Sequence, residues 1–88
     1  MVRGWVIGVA DGQGGTQQLL VLLTDGRRVV VRRSPERESA DLRAAVVERL
    51  RPRQPGTRSV VRWLHPALPV DVELDAGRVR RIAPVVRD

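Results

Sequence analysis

The chain is 88 residues long, carries sixteen arginines and no lysine, and has a net charge of +6. It has no cysteine, which excludes a disulfide framework, a thiolate nucleophile and cysteine-ligated zinc. No run approaches the roughly 18 apolar residues that span a bilayer as a helix, so no membrane partner is expected.

A chain this short is expected to form one domain, spanning residues 1–88, with a thin core. That core must be built from Val, Leu, Ile and Ala, because Trp5 and Trp63 are the whole aromatic complement. The opening Met1-Val2-Arg3-Gly4-Trp5 runs straight into patterned sequence without the charged lead and apolar stretch of a signal peptide. A cytoplasmic location is the corresponding expectation.

The first predicted strand covers residues 3–10, where Trp5, Ile7 and Val9 alternate with Gly4, Val6 and Gly8. Glycines inside a strand mark a bend or a close backbone approach, so Gly4 and Gly8 suggest a strand coiling around a small barrel. Gly12-Gln13-Gly14-Gly15 then reads as a connector. It joins two strands and does not open a helix, which argues against a phosphate cradle. Residues 16–24 form a second strand whose run Leu19-Leu20-Val21-Leu22-Leu23 implies a central place in the sheet. Asp25-Gly26 predicts a two-residue hairpin turn, returning through residues 27–33 around Val29-Val30-Val31.

Ser34-Pro35-Glu36-Arg37-Glu38 has the capping serine, early proline and acids of a helix start. Leu42, Val46 and Leu50, with Ala45, supply the apolar stripe of about four turns, and Pro52 and Pro55 end it. Residues 58–64 alternate again, His65-Pro66-Ala67-Leu68-Pro69 reads as a break, and Val70, Val72 and Leu74 alternate with Asp71, Glu73 and Asp75. Ala76-Gly77 makes a second hairpin turn into residues 78–86. The result is an α+β, β-rich domain of five or six strands with one helix between the third and fourth. That order resembles the OB-fold in topology, and an SH3-like barrel or an α+β roll fits the same string.

Charge is unevenly spread. Residues 27–62 hold eleven arginines against Glu36, Glu38, Asp41 and Glu48, a net +7, whereas the remaining segments balance at −1. Arginine suits phosphate, and a basic surface gains affinity for polyanions through counterion release. Arg28, Arg32, Arg53, Arg58 and Arg62 are the expected phosphate contacts. Arg78, Arg80 and Arg81 are expected to be compensated by Asp71, Glu73 and Asp75 across the second hairpin, which also makes an ion-pair ladder the better account of those carboxylates than a metal site. Trp5 and Trp63 share strand positions with aliphatics and are expected to fill the core, leaving base stacking minor. His65 is the lone histidine and reads as a loop residue.

Nothing in this inventory supplies the positioned, perturbed groups that catalysis needs, and no cofactor or metal is implied. The expected function is a non-catalytic nucleic-acid-binding module, for RNA or DNA, with little sequence preference. The alternative is a protein-interaction or homo-oligomeric accessory module, in which the arginines meet acidic surfaces or keep the chain soluble.

Overall fold

A computed structural model describes residues 1–12, 16–50 and 61–85. Five antiparallel strands, β1 (Val2–Asp11), β2 (Gln17–Leu23), β3 (Arg28–Arg32), β4 (Val61–Asp75) and β5 (Arg78–Pro84), form one sheet in the order β3-β2-β1-β4-β5. The helix α1 (Ala40–Arg49) follows β3 in the chain and packs on β4 and β5. The sheet curls into a half-barrel, consistent with a small β-barrel. Among the described residues, no helix is long and apolar enough to cross a membrane.

Strand alternation produces the core directly. Val6 and Val9 of β1, Leu19, Val21 and Leu23 of β2, and Val70 and Val72 of β4 all turn to one face and are fully buried. Leu42 and Val46 of α1 close over them. Burying a side chain of this size contributes about 1.5–3 kcal/mol, so this two-residue stripe is what fastens α1 to the sheet. Every buried apolar residue in the core cluster is Val, Leu or Ile; neither tryptophan belongs to it.

Both predicted hairpins form, by different turns. At the second, Ala76 (φ 51°) and Gly77 (φ 78°) are both left-handed, and Asp75 pairs with Arg78, which is a two-residue type I′ connection. At the first, only Gly26 has positive φ. Its N–H donates to the Leu23 carbonyl at 2.9 Å, and the Leu23 N–H donates to the Arg27 carbonyl at 2.8 Å. The connection is therefore Thr24-Asp25-Gly26, one residue longer than predicted. Asp25 stays out of the left-handed region and uses its carboxylate as an acceptor, from the Arg27 N–H at 2.9 Å and the Arg27 guanidinium at 2.6 Å. The backbone donor, chiefly, holds the Asp25 carboxyl below its ordinary value.

The helix starts later than predicted. Ser39, not Ser34, is the N-cap and accepts from the Leu42 N–H at 3.1 Å. Ser34 instead closes a separate turn, its carbonyl accepting from Arg37 and Glu38. Two interactions hold residues 37 and 38 out of a helix. The Arg37 carbonyl accepts from the Ile82 N–H of β5 at 2.7 Å, and the Glu38 carboxylate is buried against Arg33. Tertiary pairing of this kind outweighs helix propensity, which amounts to tenths of a kcal/mol per residue.

The predicted break at residues 65–69 is also corrected. It lies inside a continuous β4, so the strands expected on either side of it are one and the sheet has five strands. Val6 pairs with Leu68 and Gly8 with Trp63, leaving β4 residues 64–67 opposite Ile7 alone. Pro66 cannot donate to a ladder, and it falls where the ladder is interrupted. His65 is exposed in this irregular stretch. Residues 58–60, the loop at 52–56 and the end of the last predicted strand at 86 lie outside the described residues.

Candidate nucleic-acid interface

One irregularity in β1 decides which side chains meet solvent. Along the β2 ladder Val6 pairs with Val21, but the next pair is Gly8 with Leu20, so Ile7 is an extra residue. A bulge of this kind reverses the side-chain alternation beyond it. Before the bulge the odd residues Arg3 and Trp5 face away from α1; after it the even residues Gly8 and Ala10 do. Trp5 therefore points away from Val9, and the predicted sharing of a face between them is incorrect. Trp63, paired with Gly8, points the same way as Trp5. Their exposures are 39% and 54%, so the expectation that both fill the core is overturned for both.

The registers lay out the outer face as three rows across the strands. One row runs Arg28, Leu22, Trp5, Pro69; the next runs Val30, Leu20, Gly8, Trp63; the third runs Arg32, Gln18, Ala10, Val61. Leu20 and Leu22 are half-buried and Val30 is 58% exposed. An apolar and aromatic band thus crosses the sheet. Arg28 and Arg32, one on each side of Val30, sit at its β3 edge.

The position of Trp63 depends on its neighbour. A Cβ added at Gly8 would lie 3.0 Å from Cε3 of Trp63 and 3.4 Å from Cδ1 of Leu20. The indole is therefore laid against the bare backbone of β1. Sequence reasoning missed both tryptophans as surface groups. The signal available was Gly8 itself, since a glycine within a strand marks a bulge or a close approach.

The five arginines expected to contact phosphate are not brought together. Arg28 and Arg32 share the outer face and are exposed, and their guanidinium groups have no ion pair or hydrogen bond among the described residues. Arg62 pairs with Val9, a core residue, which puts it on the opposite face and half-buried. Arg53 and Arg58 lie outside the described residues. The remaining pair partners divide as follows: Arg27 is held by Asp25 at 2.6 Å and Arg33 by Glu38 at 2.8 Å. Arg3 is held by Asp71 at 3.6 Å. The compensation predicted in the second hairpin is realised once, at Arg80–Glu73 (3.8 Å); Arg78 and Arg81 stand opposite Asp75 and Glu73 in register without an ion pair among the described residues.

An open groove of about 950 Å³ lies on the other side of the molecule, between α1 and residues 34–38. Its walls mix Arg33 and Arg43 with Glu38 and Glu48, so it presents charge of both signs. Arg33 is spent inside it, donating to Glu38 and, at 3.2 Å, to the Gln17 side chain. The outer face, by contrast, offers unpaired positive charge beside exposed π surface. No group of three or more His, Cys, Asp or Glu side chains suited to a metal occurs among the described residues. Comparison with protein-family models, with curated proteins and with solved structures finds no match to this chain.

Proposed function

We propose that this protein is a non-catalytic nucleic-acid-binding module whose outer sheet face contacts the phosphate backbone through Arg28 and Arg32, with little sequence preference. The observation that carries the reading is the pairing pattern of the arginines. Arg3, Arg27, Arg33 and Arg80 have carboxylate partners. Of the arginines without one among the described residues, which also include Arg37, Arg43, Arg78 and Arg81, Arg28 and Arg32 are the two that flank the apolar band leading to the tryptophans. Arg62 drops out of the contact set, because it belongs to the other face.

The strand order and the place of the helix between β3 and β4 favour an OB-type barrel over an SH3-like one. The parallel bridge from Glu38 to Ile82 supports this, since it carries the chain after β3 across to β5 and draws the two sheet edges together.

The test is fluorescence anisotropy with a labelled mixed-sequence oligonucleotide. Affinity should fall steeply between about 50 and 200 mM salt, as multiple phosphate contacts require. The double variant Arg28→Glu/Arg32→Glu should weaken binding at least tenfold and flatten the salt dependence. The variant Arg78→Glu/Arg81→Glu, which changes net charge equally, should do much less. Equal losses in two folded variants mean that binding tracks net charge alone. A second reading, a homo-oligomeric module joined through the same face, draws on the exposed Trp5, Val30 and Trp63. It predicts a dimer by sedimentation and no oligonucleotide binding at low salt.

A further inference from the structure

We infer that the outer face selects single-stranded over duplex nucleic acid, with Trp63 as its principal stacking platform and Trp5 as a second. The inference rests on the reading above and names its substrate class. Trp63 meets the requirement of a platform: its Cε3 lies beside the bare backbone at Gly8, and more than half of the residue's surface remains open to solvent. A base in a duplex has both faces covered by its neighbours, so only an unpaired strand can lay a base on the indole. Base–aromatic stacking contributes about 1–3 kcal/mol per base and tolerates any sequence, because every base has a π face.

The arginines complete the arrangement. Strands lie about 4.8 Å apart, so Arg28 on β3 and Trp5 on β1, two strands along one row, stand roughly 10 Å apart at the backbone. A long arginine side chain reaches back across much of that interval. A strand running along the sheet edge would therefore place phosphates at Arg28 and Arg32 and turn its bases inward over Leu20 and Leu22 toward the indoles. Asp71 is the acid on the outer face near this band, and Arg3 neutralises it at 3.6 Å. Charge complementarity favours a polyanion at this end of the face, since Arg28 and Arg32 have no ion pair among the described residues, whereas the outer-face acids Asp71 and Glu73 are already paired with Arg3 and Arg80.

The experiment compares wild type, Trp63→Leu, Trp63→Phe and Gly8→Ala for binding to oligodeoxythymidylate and to a duplex of the same length. Intrinsic tryptophan fluorescence is followed in parallel. Trp63→Leu should weaken single-strand binding roughly 5- to 150-fold, the equivalent of about 1–3 kcal/mol at 1.4 kcal/mol per tenfold, and leave the weaker duplex binding unchanged. Trp63→Phe should recover most of the loss. Gly8→Ala, whose methyl meets the indole, should fall between wild type and Trp63→Leu. Wild-type fluorescence should be quenched by the single strand and not by the duplex, a readout that needs no variant to fold. The inference is overturned, with the nucleic-acid reading left standing, if the duplex binds as well as the single strand or if Trp63→Leu binds like wild type while Arg28→Glu/Arg32→Glu does not. Absence of wild-type binding to either probe, or a free-protein dimer that buries both indoles, overturns both.

Discussion

The inner and outer faces of the sheet are drawn from the same strands, yet only one is finished. On the inner face Val6, Val21, Val70 and Val72 are closed over by Leu42 and Val46, and the one buried acid among the described residues, Glu38, is matched by Arg33. On the outer face both tryptophans and Val30 are open to solvent, and the arginines at the β3 edge have no ion pair among the described residues. Stability thus resides in one face, and the unsatisfied chemistry in the other. A thin core made wholly of Val, Leu and Ile leaves the two largest side chains free for the surface. The single extra residue at Ile7 is what parts Trp5 from Val9, so that one faces out and the other in.

If the faces are separable in this way, damage to the inner face should cost stability and spare binding. The largest effect is expected from Arg33→Met. It strands the Glu38 carboxylate, whose side chain is 3% exposed, without a counter-charge, and breaking such a pair costs about 3–5 kcal/mol. Urea denaturation reads the loss. The folded fraction should bind oligonucleotide as wild type does, and a parallel loss of affinity at full folding would break the separation.

The two strand glycines sharpen the comparison. At Gly4 a Cβ would stand 2.5 Å from the Leu22 carbonyl oxygen, which is backbone and cannot yield without shifting the β1–β2 ladder. Gly4→Ala is expected to destabilise by about 1–3 kcal/mol, again by urea titration, with oligonucleotide affinity retained. At Gly8 a Cβ would meet the Trp63 indole at 3.0 Å and the Arg62 carbonyl oxygen at 3.1 Å, both less severe than the 2.5 Å approach at Gly4. Gly8→Ala should therefore show the reverse, a smaller stability loss and a weaker affinity. Identical profiles for the two variants would contradict the division of roles.

The smallest effect belongs to a region outside both faces. Ala76 is held at φ 51°, a conformation that a non-glycine residue adopts at a penalty and that asparagine tolerates better. Ala76→Asn should stabilise by about 0.5–1 kcal/mol and raise Tm by roughly 2–8 °C. Binding should be unchanged. An unaltered or lowered Tm in calorimetry would show that the turn is not of this type.

Much of the fold was legible because it is written locally. The alternation at Val70, Val72 and Leu74, the glycines of both turns and the spacing of Leu42 and Val46 each report their own element. What the sequence concealed depended on pairing between distant residues. The helix start at Ser39 is decided by Arg33 and by Ile82, neither in the helix. The continuity of β4 through Pro66 and Pro69 is decided by β1. The outer face was concealed for the same reason: alternation alone groups Trp5 with Ile7 and Val9, and a bulge shows only in the ladder to β2. Arg28 and Arg32 could be read as a pair because three residues of one regular strand link them. Arg62 could not be joined to them, because its face is set by Val9.

The most direct test of the outer face as the binding surface is a heteronuclear NMR titration of the full chain with a single-stranded oligonucleotide. The indole N–H signals of Trp5 and Trp63 and the backbone amides of Leu20, Leu22, Arg28, Val30 and Arg32 should shift together and saturate at one affinity. Those of Asp41, Arg43, Val47 and Glu48 on α1 should stay in place. Shifts concentrated on α1 and its groove, with both indoles unmoved, would contradict the account.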